Sequence, residues 1–386
     1  MYIYSVSTNE YKDPWDTSFA ARFEQLVRGQ KHVAYYYERP DSSTFRYRVY
    51  NMIQSLQETG NRVSASFFKG EELEYLDRIV DHADVLVICR SNYSKRLNRM
   101  ITKARKMGKK VFFDIDDLVF NPLHVHFVLD CLNQDLDNPI ISNYWFAYFG
   151  MQAAIMDLCD EVITTNGFLA ERIRAHSGKP TWVIPNFMNR EQMEISERIF
   201  EAKRADGFKR NDQIHLGYFS GSHTHSKDLM VAADALSELL EKYQNIVLRI
   251  VGFMDLPESL QRFKSRIERY PIQNFMELQR LIGEVEINIV PLQDNEFTNC
   301  KSELKYFEAG AVGTISLASP TFTYTQSIQD GENGFLAKSY EWLDRLESLI
   351  CEVDSLSSIA RQAHHHSMTK FAWYNQARLI ETTIFP

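Results

Sequence analysis

The sequence predicts an α/β protein of two doubly wound, Rossmann-like domains facing a central cleft, and three observations predict it. At 386 residues the chain is too long for one typical domain. Short β-rich runs alternate with amphipathic helical stretches, and the runs are apolar without clean polar alternation, as strands covered on both faces are. The alternation stops once, at the charged, strand-poor stretch NREQMEISERIFEAKRADGFKRNDQ, and then starts again, which reads as a linker between two βα arrays.

In the first array HVAYYYE (32–38) reads as a strand and STFRYRVYNMIQSLQETG as a helix ending at Gly60. RVSASFF and DVLVICR (84–90) are the second and third strands. A basic helix, SKRLNRMITKARKMG, leads to the fourth strand, KKVFFDIDD. A long helical region over about 141–158 precedes EVITTN (161–166), a further helix and PTWVIPN (180–186). The second array runs through IHLGYFSGS, a helix over 228–243, IVLRIVG (246–252) and INIVPL (287–292). It continues with the helix in KSELKYFEAGAVG, then TISLAS and GFLA. The last stretch, FAWYNQARLIETTIF, reads as a helix returning to the first domain. The expected divisions are 1–190, 191–365 and a terminal 366–386.

Composition narrows the function. Hydrophobic residues make up 44% and charged residues 24%, the profile of a globular protein with full cores. A net charge of −8 argues against general nucleic-acid binding, which needs a basic surface. No apolar run approaches the length of a membrane span, and MYIYSVSTNEYKDPWD lacks the basic-then-apolar order of a signal peptide. The five cysteines are odd in number, scattered and form no CxxC pair, so free thiols in a reducing compartment are expected. The expected location is cytoplasmic, and the abrupt end at TTIFP leaves room for further domains of a longer polypeptide.

Ligands of open α/β sheets bind beyond the carboxyl ends of the strands. In IHLGYFSGSHTHSKDL, Gly217, Gly221 and Ser222 let backbone amides approach an anion, and His223 and His225 can donate to it. In KSELKYFEAG the free amides of a helix start can meet a diphosphate, with Lys301 adding charge and Ser302 a hydroxyl. Glu308, roughly two turns on, falls in the apolar stripe of Leu304, Phe307 and Ala311, where a carboxylate can accept from the vicinal hydroxyls of a ribose. Its other reading is a partner for a nearby Lys or Arg at a domain edge.

Across the cleft, DIDDLVF puts Asp114, Asp116 and Asp117 at a strand's carboxyl end, where they can supply a general base or cap the next helix. Strand alternation would point Asp114 and Asp116 to one side, and the outer pair, Asp116 and Asp117, should lie nearest the cleft. Arg46 and Arg48, at a helix start, can contact acceptor or phosphate, or form a solvated basic edge. His124 with His126, His223 with His225, and His364–His366 lack nearby cysteine or HExxH spacing, so no metal is expected. The triple histidine reads as surface.

Taken in order, IHLGYFSGSHTHSKDL, EINIVPL, KSELKYFEAGAVGTISLAS and DGENGFLA resemble the nucleotide-binding half of GT-B glycosyltransferases, especially family 4. EVITTNGFLAERI and KPTWVIPNFMN resemble the end of the first half of the same enzymes, so the likeness runs from about Asp157 onward. The resemblance implies a nucleotide sugar as co-substrate in the second domain, an acceptor on the first, and no metal. It also departs from the family. Many members carry two glutamates separated by seven residues; Glu308 matches the second, but the first falls on Cys300, which cannot do a carboxylate's work.

Lys301 and Ser302 are similar to a subgroup of bacterial polysaccharide enzymes that includes rhamnosyltransferases. The function implied is sugar transfer from dTDP-rhamnose, or otherwise a UDP- or GDP-sugar. The acceptor implied is a hydroxyl of a bacterial surface glycan such as O-antigen or capsule, free or lipid-linked, with at most peripheral contact at the inner face of a membrane. The alternatives are a nucleotide-sugar epimerase and a non-catalytic partner subunit of the same fold.

Overall fold

The computed structural model describes residues 1–6, 11–132, 134–135, 137–221 and 227–386. Among them, the first sheet comprises β1 (Lys31–Tyr37), β2 (Val63–Lys69), β3 (Val85–Cys89), β4 (Lys110–Asp114), β5 (Glu161–Thr164) and β6 (Thr181–Val183), in the spatial order β2-β1-β3-β4-β5-β6. The second comprises β7 (Ile214–Ser220), β8 (Ile246–Gly252), β9 (Ile267–Tyr270), β10 (Ile287–Val290), β11 (Ile315–Ala318) and β12 (Phe335–Leu336), ordered β12-β11-β10-β7-β8-β9. All pairings are parallel. Strands such as VLVIC of β3 are buried along their whole length because helices cover both faces of the sheet.

The strand order turns back in each sheet, between β1 and β3 in the first and between β7 and β10 in the second. Crevices open beyond the carboxyl ends of strands at such switch points. Here the two crevices join, and one cleft of about 530 Å³ is lined from both sheets.

Several features differ from the sequence reading. The charged stretch after β6 is a helix, Arg190–Ala205, that buries Ile195, Ile199 and Phe200 against the second domain and turns its charges outward. Its Lys203 is buried, donates to the carbonyls of Val312 and Gly313 at 2.9 Å, and has its ammonium pushed well down by that burial. The edge strand β9, IERY, escaped notice because an edge is only half covered and tolerates charge. Its Glu268 receives the buried Arg249 of β8 at 2.7 Å.

The first residues, read with the first domain, lie on the second. The Met1 amino group sits 2.6 Å from Glu286, and the Tyr2 and Ile3 amides donate to the Glu284 and Lys209 carbonyls at 2.9 Å. At the other end the helix Ser357–Lys370 packs on Leu304–Ala311 of the second domain. The chain crosses at Phe371, and the helix Ala377–Ile384 lies on Asn51–Leu56 of the first, with Glu381 2.9 Å from Arg62. The triple histidine is not simply surface. His364 stacks on Phe200 and donates to the Ala311 carbonyl, His366 bonds the Tyr306 hydroxyl at 2.7 Å, and only His365 is exposed.

Candidate functional site

The second-domain wall of the cleft is built on the ends of β7 and β10 and on the segment Cys300–Glu308. At the end of β7, Gly221 lines the cleft, while Ser222, His223 and His225 lie outside the described residues. Gly217 does not approach the cleft. It sits within β7, where a Cβ would meet the Phe219 ring at 2.6 Å and Val285 at 2.8 Å, so packing explains it. Gly252, at the end of β8, has φ +98°, and a Cβ there would strike the Ser220 carbonyl, so this lip of the cleft requires glycine.

Lys301 and Ser302 line the cleft just ahead of the helix Leu304–Ala311. The first amides of a helix have no intrahelical partner, which makes this end hospitable to an anion. First-domain asparagines hold the loop. Asn166 donates to the Cys300 carbonyl at 2.8 Å and Asn186 to the Ser302 hydroxyl at 3.0 Å. Cys300 itself is buried, and burial pushes its thiol up, so it stays neutral.

Sequence reasoning missed Lys305. Its ammonium lines the cleft fully buried, with no hydrogen-bond partner among the described residues, and burial lowers it to about 8. The side-chain oxygen of Asn288, on β10 and also in the wall, is likewise unpaired there. The available signal was its place three residues before Glu308, on the same helix face.

Glu308 lines the cleft and also has a partner, so both of its sequence readings meet at one residue. Its Oε1 accepts from Tyr47 Oη, from Arg46 at 3.2 Å and from Gln192 at 3.3 Å. Arg46 is thus a cleft residue, but it is committed to Glu308 and Gln192 and packed on the Phe275 ring. It is not a solvated edge. Arg46 and Tyr47 reach Glu308 because the helix opens with a wide π-type turn, Arg46–Tyr50, a distortion common at functional sites.

Arg48, two residues on, does not join them. It is fully buried and grips Asp114 with two bonds, at 2.8 and 2.9 Å, while also donating to the Ile184 carbonyl. Burial pushes the Asp114 carboxyl up, to about 6, against the pull of Arg48. Neither residue lines the cleft, so the acceptor role of Arg48 and the base role of Asp114 do not fit this placement. β4 ends at Asp114, so strand alternation cannot put Asp114 and Asp116 on one side.

Asp116 and Asp117 do line the cleft. Asp116 is held by Arg90 at 2.9 Å and the Thr44 hydroxyl at 2.9 Å. These contacts keep its carboxyl below the usual range against the upward push of burial. Arg90, at the end of β3, has φ +35°, a strained backbone for a side-chain-bearing residue. Asp117 is less engaged. One oxygen accepts from the Leu118 amide at 3.0 Å and the other lies 3.5 Å from Lys301 Nζ.

Among the described residues no cluster of His, Cys, Asp and Glu suits a metal ion. The cleft therefore pairs a cationic anion-binding wall with a carboxylate wall, an arrangement suited to holding a phosphate ester while a proton is taken from a second reactant.

Comparison with known proteins bears on the family of the second domain and on the fold. Residues 214–352 match the family Glycosyl transferases group 1. HepE of Anabaena, solved with UDP and glucose, superposes with a TM-score of 0.60 at 14% identity, covering 91% of this chain and 98% of that one. WaaG, a glycosyltransferase involved in lipopolysaccharide biosynthesis, gives 0.59 at 14%, with 91% and 99% covered. Sucrose-phosphate synthase of Thermosynechococcus elongatus gives 0.59 at 13%, with 91% and 97% covered. No curated protein matches in sequence. The chain has the GT-B fold, and its second sheet domain is a group 1 glycosyltransferase domain.

Proposed function

We propose that the protein transfers a glycosyl group from a nucleoside diphosphate sugar to a hydroxyl of an acceptor held on the first domain, with inversion at the anomeric carbon. The observation that carries the reading is Lys305, a buried ammonium facing the cleft between Lys301 and Glu308 with no hydrogen-bond partner among the described residues. An unpaired buried cation is costly unless a ligand neutralises it. A diphosphate meets Lys301, Lys305 and the helix amides, and Glu308 then stands where a ribose would follow.

In the transfer, Asp117 accepts the proton of the acceptor hydroxyl as its oxygen bonds to the anomeric carbon. The carbon–oxygen bond to the diphosphate breaks, and the leaving group keeps the electron pair beside Lys301 and Lys305. Asp116, fixed by Arg90 and Thr44, is the less available base. A neutral thiol at Cys300 offers no second carboxylate on the donor face, which favours inversion over retention. The HepE complex with UDP favours a uridine donor, whereas the Lys301–Ser302 pair favours dTDP-rhamnose and a surface glycan acceptor.

The test is to incubate the protein with UDP-, GDP- and dTDP-sugars and measure release of nucleoside diphosphate with and without glycan acceptors. Release from one donor, stimulated by an acceptor, is expected. No release from any of them overturns the reading.

A further inference from the structure

Arg90 directly follows β3, one of the two strands between which the first sheet turns back. Its left-handed backbone, φ +35°, is held from several sides. The Arg90 amide donates to the Asp114 carbonyl at 2.8 Å, and the Asn92 amide to the Glu38 carboxylate at 2.8 Å. Gln152, on the helix Pro139–Leu158, reaches the Asn92 side chain at 2.9 Å. Strain that the surroundings keep in place gathers at functional positions, and here it fixes the start of one side chain in the cleft.

The guanidinium is only half used. Its Nη1 donates to Asp116 at 2.9 Å and to the Thr44 hydroxyl at 3.2 Å. Nε and Nη2 make no hydrogen bond among the described residues, and neither is sealed from water: the side chain lines the cleft and is 22% exposed. These two nitrogens form one edge of the planar fork, which takes two oxygens of a single acid side by side. Arg48 shows that edge in use, with its Nε and Nη2 on the two Asp114 oxygens at 2.8 and 2.9 Å. Tyr148, on the helix Pro139–Leu158, lines the cleft close enough to act on the charge of Arg90. Its hydroxyl also makes no hydrogen bond among the described residues.

We infer that Arg90 and Tyr148 read an acidic group on the acceptor, the carboxylate of a uronic acid or a phosphate ester borne by the glycan. Asp116 and Asp117 oppose such a group by charge, but Arg90 already matches the first and Lys301 faces the second. Recognition therefore comes from the directed two-pronged bond rather than from net charge. Arg90 also holds Asp116, the residue beside Asp117, so the acid lies close to the hydroxyl that Asp117 deprotonates. A neutral glycan leaves the fork unfilled, and unfilled polar groups are how a site rejects an analogue that lacks the matching group. The inference rests on the transfer reading only in naming the molecule an acceptor. Binding is measured without donor, so the two fail separately.

Ligand-observed NMR titration of the full chain with matched pairs tests it. The pairs are methyl glucuronide and methyl glucoside, methyl galacturonide and methyl galactoside, and glucose 6-phosphate and glucose. At least one acid is expected to bind about tenfold or more tighter than its neutral partner, the carboxylate and phosphate arms showing which acid fits. Arg90→Gln should abolish that preference. Arg90→Lys keeps a cation for Asp116 but cannot form the fork, and should lower the preference severalfold in a protein of unchanged circular dichroism. Tyr148→Phe should lower it by about fivefold, the scale of one hydrogen bond. Excess pyrophosphate, which fills the anion wall at Lys301 and Lys305, should leave the acid bound. Equal binding within every pair, a preference untouched by both Arg90 variants, or displacement by pyrophosphate overturns the inference.

Discussion

Lys301 of the second domain and Asp117 of the first face each other across the cleft, ammonium nitrogen to carboxylate oxygen at 3.5 Å. The separation is long for an ion pair, and each side chain is about 15% exposed. Each group is thus held near the other yet free to exchange it for a ligand: Lys301 for a diphosphate, Asp117 for a hydroxyl proton. Asp117→Asn is expected to slow transfer by about 10²–10⁴-fold, the scale of a lost general base. Nucleoside diphosphate affinity should hold or rise, because Lys301 loses its competing partner. Product analysis by NMR should give the inverted anomer. A retained anomer, or full activity in the variant, would sink the assignment.

Lys305→Met should act in opposite directions on stability and binding. Removing a buried ammonium that has no hydrogen-bond partner among the described residues and is lowered to about 8 is expected to stabilise the fold by about 1–3 kcal/mol. The same change should weaken nucleoside diphosphate binding by at least about tenfold. In the unaltered protein, affinity should fall as pH rises through about 8, where Lys305 loses its proton. Thermal melts and calorimetric titration on either side of that pH check all three, and a pH-independent affinity would remove Lys305 from the site.

Glu308→Ala is expected to weaken nucleotide binding by about 1–3 kcal/mol, the scale for losing a charged acceptor. It also strands Arg46, so the melting temperature should drop as well. The double variant Glu308→Ala/Arg46→Met should recover much of that stability but none of the affinity. Unchanged affinity in a folded single variant would leave Glu308 with only its structural partnership.

Arg48→Met separates structure from site. It leaves Asp114 buried without its two-pronged partner and should cost about 3–5 kcal/mol in stability. The surviving folded protein should bind nucleoside diphosphate normally, because neither residue lines the cleft. Loss of affinity with little change in melting temperature would contradict this placement.

His366 links the fold to pH. Burial lowers its imidazole from 6.5 to about 4, so the folded state disfavours the charged form. Its stability contribution is complete above pH 6.5 and is lost as pH falls through about 4. The half-open setting limits the effect to on the order of 1 kcal/mol. His366→Gln should flatten the acid side of the stability curve by that amount in denaturant titrations.

The sequence by itself determined the two arrays of parallel strands, because apolar runs of strand length betray burial on both faces without any knowledge of what covers them. It also determined that Glu308 falls in the apolar stripe of a helix that Lys301 and Ser302 lead into, since local spacing alone decides that. Only the tertiary structure decided which charges meet. Arg46 and Arg48 stand two residues apart in one turn, yet one reaches Glu308 in the cleft and the other disappears beneath it with Asp114. Lys305 has no mark in the sequence that sets it apart, and it becomes a site residue only because Tyr218 and the ends of β7 and β10 enclose it. The first residues belong to the second domain because Glu286 and the edge beside it lie there, a long way along the chain. A backbone period repeats over a few residues and is written locally. An ion pair depends on distance in space, and distance in space is fixed only when both sheets are in place.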